Sequence, residues 1–520
     1  MRTVRRAVTF VLLILLGCRP SEPPSTRPNI LLILADDMGF TDLGSFGSEI
    51  PTPNLDALAF AGMRFTNFHA APSCGPSRAM LISGMTSWEA GVRERGGALG
   101  DHVAPLPQLL RDAGYHTYMA GKWHLGHEPA QSPRARGFES SFALVRAGDN
   151  HLGASVFPDE DVPYRENGEP VDLPDGWFST ELYTDKLLEH IRANEGDGQP
   201  WFGYLALTAP HWPHQLPEDW IDRHAGRYDS GYDVFRESRN ARARELDVFP
   251  EALELEGFRG RAEAWDALDE ESKSINIRSM EIYAGMVENM DFHIGRVVDY
   301  LKESGQYENT VILFFSDNGA SGSDASFRTV TIPRTDTDSS LPNMGREGSF
   351  VAIGRGWAEA ATAPYRDVKG SLYEGGTLAA AFVTHRSVAA PGSVDRSYLT
   401  MMDVLPTLLD LAGTRHPGVD FHGREVLPIR GRSFWPRVRG SRRPVHQEFE
   451  TIPWMTTDRK AALVRGEWKI IKESRPSDPP PDWRLYQLAE DPGETEDLSA
   501  RYPEVRAELV ALWNEYRQGL

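Results

Sequence analysis

Two short pairs, Asp36-Asp37 and Asp317-Asn318, offer oxygen ligands only. Carboxylate and amide oxygens suit Ca2+ or Mg2+, whereas zinc and copper prefer nitrogen and sulfur. One such pair alone reads as a turn or a helix cap; two, each following an apolar run, read as halves of a cation site. Cys74, in Ser-Cys-Gly-Pro-Ser-Arg (73–78), is the only cysteine beyond the N-terminal segment. Near a helix N-terminus the dipole would activate its thiol. Ester hydrolysis through a thiol calls for a His/Asn partner rather than an oxygen-ligand cation, so the combination makes better sense if Cys74 is converted to a group carrying an oxygen nucleophile. Arg78 lies in the first turn of the helix expected to end near Gly84, and Lys122 and Lys369 sit beside glycines. A solvated charge is the ordinary fate of lysine, so these cations gain meaning only if the fold gathers them. His124 and His211 can act as acid or base because imidazole titrates near working pH; His69, His127 and His214 read as structural.

The elements that must do the gathering alternate along the chain, short apolar runs with amphipathic segments, the pattern of an α/β protein with a largely parallel sheet. Ile30 to Leu34 is an aliphatic run suited to a strand buried on both faces and ends in Ala35-Asp36-Asp37. Tyr115 to Ala120 leads into Gly121-Lys122-Trp123-His124, Trp201 to Thr208 into Ala209-Pro210-His211, and Val311 to Phe315 into Ser316-Asp317-Asn318. In open α/β sheets the site lies beyond the carboxyl ends of the strands, so these separated residues are expected to meet in one crevice. Amphipathic helices are predicted around Leu106–Leu110, Leu182–Ile191, Ile282–Leu301 and Met401–Leu411. The stretch 320–364, rich in Gly, Ser, Thr and Pro, reads as loop near the site. From about 430 the pattern changes: Ala462 to Ile471 and Arg484 to Leu488 suggest hairpin strands, and Tyr502 to Leu520 a terminal helix.

The 520 residues suffice for more than one core. A formal charge of −20, from 55 Lys+Arg against 75 Asp+Glu, argues against a nucleic-acid binder, which needs a cationic footprint. At the N-terminus Arg2, Arg5 and Arg6 precede the run Ala7 to Leu16, too short to span a bilayer and of signal-peptide length. Leu15-Leu16-Gly17-Cys18 resembles the lipobox of bacterial lipoproteins, which makes Cys18 the expected acylated residue of an exported periplasmic or cell-surface chain. The division expected is 1–18 signal, 19–28 Pro/Ser-rich tether, 29–430 catalytic domain and 431–520 an α+β subdomain without a catalytic motif.

Leu-Ala-Asp-Asp-Met-Gly (34–39), Cys-Gly-Pro-Ser-Arg (74–78), Gly-Lys-Trp-His (121–124), Ala-Pro-His-Trp-Pro (209–213), Ser-Asp-Asn-Gly (316–319) and Val-Lys-Gly (368–370), in this order, resemble the type I sulfatases of the alkaline phosphatase superfamily, in particular the bacterial arylsulfatase branch. Gly466-Glu467-Trp468-Lys469 and Asp491-Pro492-Gly493-Glu494-Thr495 look like the tail of that family. The resemblance implies a large mixed, mostly parallel sheet flanked by helices, with a C-terminal antiparallel sheet. It implies that a formylglycine-generating enzyme oxidises Cys74 to formylglycine, whose hydrate attacks the sulfur of a sulfate ester and then expels sulfate. By the same resemblance Asp36, Asp37, Asp317 and Asn318 hold one divalent ion with the residue at 74, Ca2+ favoured over Mg2+, and Arg78 orients the formylglycine. Lys122 and Lys369 would bind sulfate oxygens, His211 would protonate the leaving oxygen and His124 would serve as base. Gly75 stands where relatives commonly carry Ser, Thr or Ala, and Met85 where many carry arginine. Segments 146–170 and 320–350 are the expected specificity determinants. The alternatives are a phosphonate monoester or phosphodiester hydrolase of the same superfamily, and a non-catalytic surface binding protein.

Overall fold

A computed structural model describes residues 27–93, 97–155, 163–249, 260–325, 337–474 and 478–520. Cys18 and the expected signal segment 1–18 lie outside the described residues. A ten-stranded sheet crosses the larger part of the chain. Its spatial order is Ser393–Asp395, Met63–Phe65, Ala381–Thr384, Thr310–Ser316, Asn29–Ala35, Trp201–Ala206, His116–Lys122, Ser140–Leu144, Tyr164–Glu166 and Glu169–Pro170. Four neighbours at its centre run parallel, with Ile30 opposite both Phe202 and Val311, and Thr117 opposite Phe202. Antiparallel pairing enters through Ala381–Thr384 on one side and Tyr164–Glu166 on the other.

The strand Asn29–Ala35 shows why the sequence folds this way. Successive side chains of a strand face opposite ways, and Ile30, Leu32 and Leu34 enter one hydrophobic core while Leu31, Ile33 and Ala35 enter another. All six are fully buried, each large one worth about 1.5–3 kcal/mol of burial. The first core packs against the helix Cys74–Ser83 through Ala79, Met80, Leu81 and Ile82. The second packs against the long helix Glu270–Glu303, whose Ile282, Met286, Met290, Ile294, Val297 and Leu301 recur at helical spacing. That helix starts at Asp269, whose carboxylate accepts the Ser272 N–H.

The carboxyl-terminal region holds an antiparallel sheet of four strands, Thr451–Thr457, Lys460–Arg465, Trp468–Glu473 and Arg484–Gln487, and the helix Pro503–Gln518. The run 462–471, read from sequence as one strand, is broken by a turn at Gly466, whose φ is +57°. Thr451–Thr457 escapes sequence reading because Pro453 sits in it; it is an edge strand, where a missing N–H is tolerated. The expected loop 320–364 also contains a buried helix, Gly354–Thr362, disguised by its glycines. Gly356 is needed there, since a Cβ would lie 2.3 Å from the Tyr232 ring.

Candidate active site

The four parallel strands end side by side, and each delivers its chemical group there. The Asp317 N–H donates to the Ala35 carbonyl and the Asp36 N–H to that of Ala209, tying the three strand ends together beyond their regular ladders. Ser316 Oγ accepts from the Met38 N–H and donates to the Met38 carbonyl, tying the Asp36-Asp37 turn to the strand before Asp317. Asp37 itself has φ +66° and His124 φ +54°, left-handed conformations that cost about 1–3 kcal/mol outside glycine and concentrate at functional sites. Before Lys122, Gly121 has φ +114°, and a Cβ there would lie 1.9 Å from the Ala206 carbonyl oxygen; only glycine lets the strand turn Lys122 into the site. Cys74 opens the helix Cys74–Ser83, whose backbone N–H groups face the site, and Gly84 closes it in the left-handed region as the sequence suggested.

The side chains form one buried cluster. Ligand atoms of Asp36, Asp37, Cys74 and His211 all lie within 4.8 Å of one another. Lys122 Nζ donates to Asp36 Oδ2 at 2.6 Å. Lys369 Nζ donates to Asp37 Oδ1 at 2.5 Å and approaches Cys74 Sγ at 3.3 Å. Arg78, fully buried, donates from Nε and Nη2 to Asp317 Oδ2 and from Nη1 to the Lys122 carbonyl. Asp317 therefore stands outside the group of four, linked to it by Arg78 and by the Asp37 N–H donating to its Oδ1 at 3.2 Å. Asn318 Nδ2 donates to Asp37 Oδ1 at 2.7 Å. His211 Nε2 is 3.6 Å from Asp37 Oδ2, and its Nδ1 contacts the Trp212 carbonyl at 2.5 Å, which places a proton on Nδ1. His151 contacts the His211 carbonyl through Nε2 and Ser179 Oγ through Nδ1, fixing the loop beneath His211.

Burial and fixed charge pull the titrating groups apart. Burial pushes the Asp36 carboxyl well above the usual range, and the charges of Asp317 and Cys74 add to it against Lys122. Burial would raise Asp37 as well, yet Lys369, His211 and Lys122 hold it below the ordinary carboxylate value. Burial opposes charge on Lys369, but Asp37 and Cys74 keep it above its usual value. Burial lowers His211 despite Asp37 and Asp36. Lys122, Lys369 and Arg78 each pair with one of the three carboxylates, so what points to a further cation is the oxygens those pairings leave over. Oδ1 of Asp36, Oδ2 of Asp37 and Oδ1 of Asn318 are buried with no hydrogen-bond partner among the described residues, although such an orphan costs about 1–3 kcal/mol. Three unsatisfied oxygens at one place, with no softer donor than the residue at 74 and His211, fit a hard divalent ion.

The sulfatase family matches residues 28–414. The chain belongs to the sulfatase family. It is 39% identical over 529 aligned residues to an uncharacterised sulfatase of Schizosaccharomyces pombe, covering 95% of this chain and 94% of that one. It is 36% identical to an arylsulfatase of Klebsiella aerogenes, covering 78% and 90% of the two chains. Among solved structures, Ps i-CgsB superposes with a TM-score of 0.67 at 24% identity, over 94% of this chain and 93% of that one, a likeness of fold. Membership makes the protein a sulfuric ester hydrolase and implies a metal ion and a formylglycine.

In this sulfatase the cluster opens into a cleft of about 650 Å3, lined near the bottom by Cys74, Gly75, His124, His211 and Lys369. A Cβ on Gly75 would meet His124 only at ordinary contact, 3.5 Å, so the departure at that position crowds nothing. The cleft is lined also by Arg146, Asp149 and Phe350, which fall within the segments 146–170 and 320–350 read as specificity determinants, and by Trp212 and Arg355, whose place the sequence did not announce. Trp212 was legible only as part of Ala-Pro-His-Trp-Pro; its ring meets Phe350 edge to face, centroids 5.6 Å apart, a contact across 138 positions of sequence that no local pattern announces. Met85 is 1% exposed within the first core, so it forms no wall of the cleft. Of the histidines read as structural, His69 pairs with buried Glu374 and His214 packs on Tyr283, whereas His127 is exposed beside Glu128 and holds nothing in place.

Proposed function

We propose that the protein hydrolyses aryl or alkyl sulfate esters, sulfated carbohydrates included, at a formylglycine made from Cys74 beside a single Ca2+ held by Asp36, Asp37, Asp317 and Asn318. The observation that carries this reading is the set of unpartnered oxygens on Asp36, Asp37 and Asn318 beside Cys74, with Lys122 buried on Asp36 and Lys369 reaching both Asp37 and Cys74 from the cleft. When present, the ion and the formylglycine supply Lewis acidity and an oxygen nucleophile. The chain's own residues do the rest. Arg78 clamps Asp317 and the Lys122 carbonyl, which fixes the floor under position 74. Lys122 and Lys369 place positive charge where the transferring sulfuryl group is most anionic, the largest contribution a protein makes to such a step. His211, whose Nδ1 proton is held on the Trp212 carbonyl, takes up a second proton at Nε2 beside the Asp37 carboxylate and gives that one to the leaving oxygen, and His124 on the other side of Gly75 takes the proton that releases sulfate. Trp212 and Phe350 beside His211 suit a flat leaving group. A carboxylate-rich cage with several protein oxygens favours the larger Ca2+ over Mg2+.

The same reading takes 1–18 as an export segment, Cys18 as the acylated residue of a periplasmic or surface lipoprotein, and a formylglycine-generating enzyme as the maturation partner. Peptide mass spectrometry across Cys74, run beside a sulfate-release assay, tests the chemistry: intact thiol in active enzyme sinks it. Matched aryl sulfate and aryl phosphate esters separate a monoanion from a dianion, and a larger kcat/KM on the phosphate overturns the substrate assignment.

A further inference from the structure

Arg27 and Pro28, the first described residues, lie at the amino ends of the parallel strands. The strand Asn29–Ala35 then carries the chain about 20 Å, at roughly 3.3 Å per residue, to the catalytic cluster. Beside Pro28 is a groove lined also by His385, Ser387, Trp435, Arg439 and Ser441. The run 430–443 contains six arginines and no acidic residue. Arg430, Arg432 and Arg437 are paired, with Glu89, Glu450 and Asp395. Arg439 lines the groove, and Arg442 and Arg443 follow its Ser441, whose Oγ accepts the Arg443 N–H; all three are exposed and have no side-chain partner among the described residues. Arg386, exposed, reaches Asn309, whose own amide donates to the Arg27 carbonyl. Asp410 in the groove and Glu308 beside Asn309 are the nearby acids. Unpaired arginines gathered at one spot run against the formal charge of −20; self-repulsion gives such a protein no reason to cluster them.

We propose that this face, Arg386, Arg439, Arg442 and Arg443 around Pro28, docks on the phosphate groups of an anionic lipid leaflet. The occupant follows from the place. If Cys18 carries the acyl anchor, as the proposed function has it, residues 19–27 limit Pro28 to about 35 Å from the leaflet at full extension. An anchor alone holds a chain without orienting it; cationic side chains beside the tether supply the orientation. Because the groove and the cleft are at opposite ends of the strand, docking there turns the cleft outward to solvent and substrate. The same separation disfavours a polyanionic substrate site, which would border the cleft.

The chain lacking residues 1–18, and so any acyl group, is sedimented with phosphatidylglycerol/phosphatidylethanolamine vesicles and with phosphatidylcholine vesicles. Binding is expected to the anionic vesicles only, and to vanish in 1 M salt, where charge is screened within about 3 Å. At about fivefold per arginine, Arg439→Glu/Arg442→Glu/Arg443→Glu weakens binding on the order of a hundredfold, with Tm and turnover of a small sulfate ester unchanged. Equal binding to both vesicles, absence of binding, or an unaffected triple variant overturns the proposal, as does retention on heparin in preference to vesicles. The vesicle assay needs no turnover, so a failure of the sulfatase reading shows separately as absent sulfate release. The mass of the N-terminal peptide of the native protein reports acylation by itself.

Discussion

Arg78 and Lys369 are both cations of the cluster, but their burial separates what they contribute. Arg78 is fully enclosed and satisfies Asp317 twice. Arg78→Met leaves that carboxylate buried without its partner, and a loss of about 3–5 kcal/mol follows, read as a large drop in Tm together with lost activity. Lys369 has a side chain 18% exposed at the cleft. Lys369→Ala, measured with the ion bound, is expected to keep Tm nearly unchanged and to lower kcat about 100- to 1000-fold, the scale of a lost electrostatic donor. A variant that loses Tm and kcat in parallel would show Lys369 to be structural. Of these two roles the sequence showed only the residue types: an arginine one turn after Cys74, and a lysine in Val-Lys-Gly.

At the scale of elements, the C-terminal sheet grips the segment that carries Lys369. Glu473, ending the strand Trp468–Glu473, accepts from Ser371 Oγ and the Leu372 N–H, while Lys460 donates to the Gly370 carbonyl. Glu473→Ala is expected to reduce kcat/KM about tenfold, as two charge-assisted hydrogen bonds positioning this segment are lost, with sulfate release as the readout. Deeper down, Lys469 bridges Glu374 at 2.7 Å and Glu494 at 2.9 Å, and Glu374 also holds His69 at 2.7 Å. Burial raises both carboxyls. For Glu494, with the Glu374 charge adding to it, the result is about 7; for Glu374, Lys469 and His69 override burial and hold it at about 2. Glu374 therefore contributes stability above its unfolded value near 4.5 that is lost as pH falls toward 2. Glu494 acts the other way, with stability lost as pH rises from 4.5 through 7. Lys469→Met removes the charge that lowers both, so its Tm deficit is expected to grow with pH and be larger at pH 8 than at pH 5. A deficit independent of pH would mean that Lys469 acts through packing of its stem alone.

For the whole molecule, the ion is a source of stability as well as of chemistry. Ligand that binds only the folded chain stabilises it by about 2.7 kcal/mol at a hundred times its Kd, and here it also relieves the repulsion among Asp36, Asp37 and Asp317. Chelation is expected to lower Tm, and Ca2+ to restore it further than Mg2+; an unchanged Tm on both treatments removes the cation from the account. The C-terminal sheet is part of the same body, since Ile452, Trp454, Ala462, Val464 and Ile471 enter the first core alongside Ile30 and Leu32. Truncation before residue 451 is therefore expected to give insoluble chain rather than a smaller active enzyme.

The parallel centre of the sheet was legible in the chain, because the aliphatic run Ile30–Leu34 and its alternation with amphipathic segments are what a strand covered on both faces requires, and so was the fact that oxygen ligands follow such runs. The sequence also marked Cys74, Lys122 and His211 as the residues to watch, through motifs whose types are unusual in their settings. Adjacency came from the folded chain alone. The order of the central strands puts Asp317 next to Asp36 across 281 positions of sequence. The segment at Lys369 reaches Cys74 because the Lys369 N–H binds the Ala320 carbonyl and the Gly370 N–H that of Pro72. Local periodicity records which face of an element is buried; it carries no record of which distant element buries it. For that reason the Trp212–Phe350 mouth, the Lys469 ion cluster and the arginine face at Pro28 became visible only once the chain was folded.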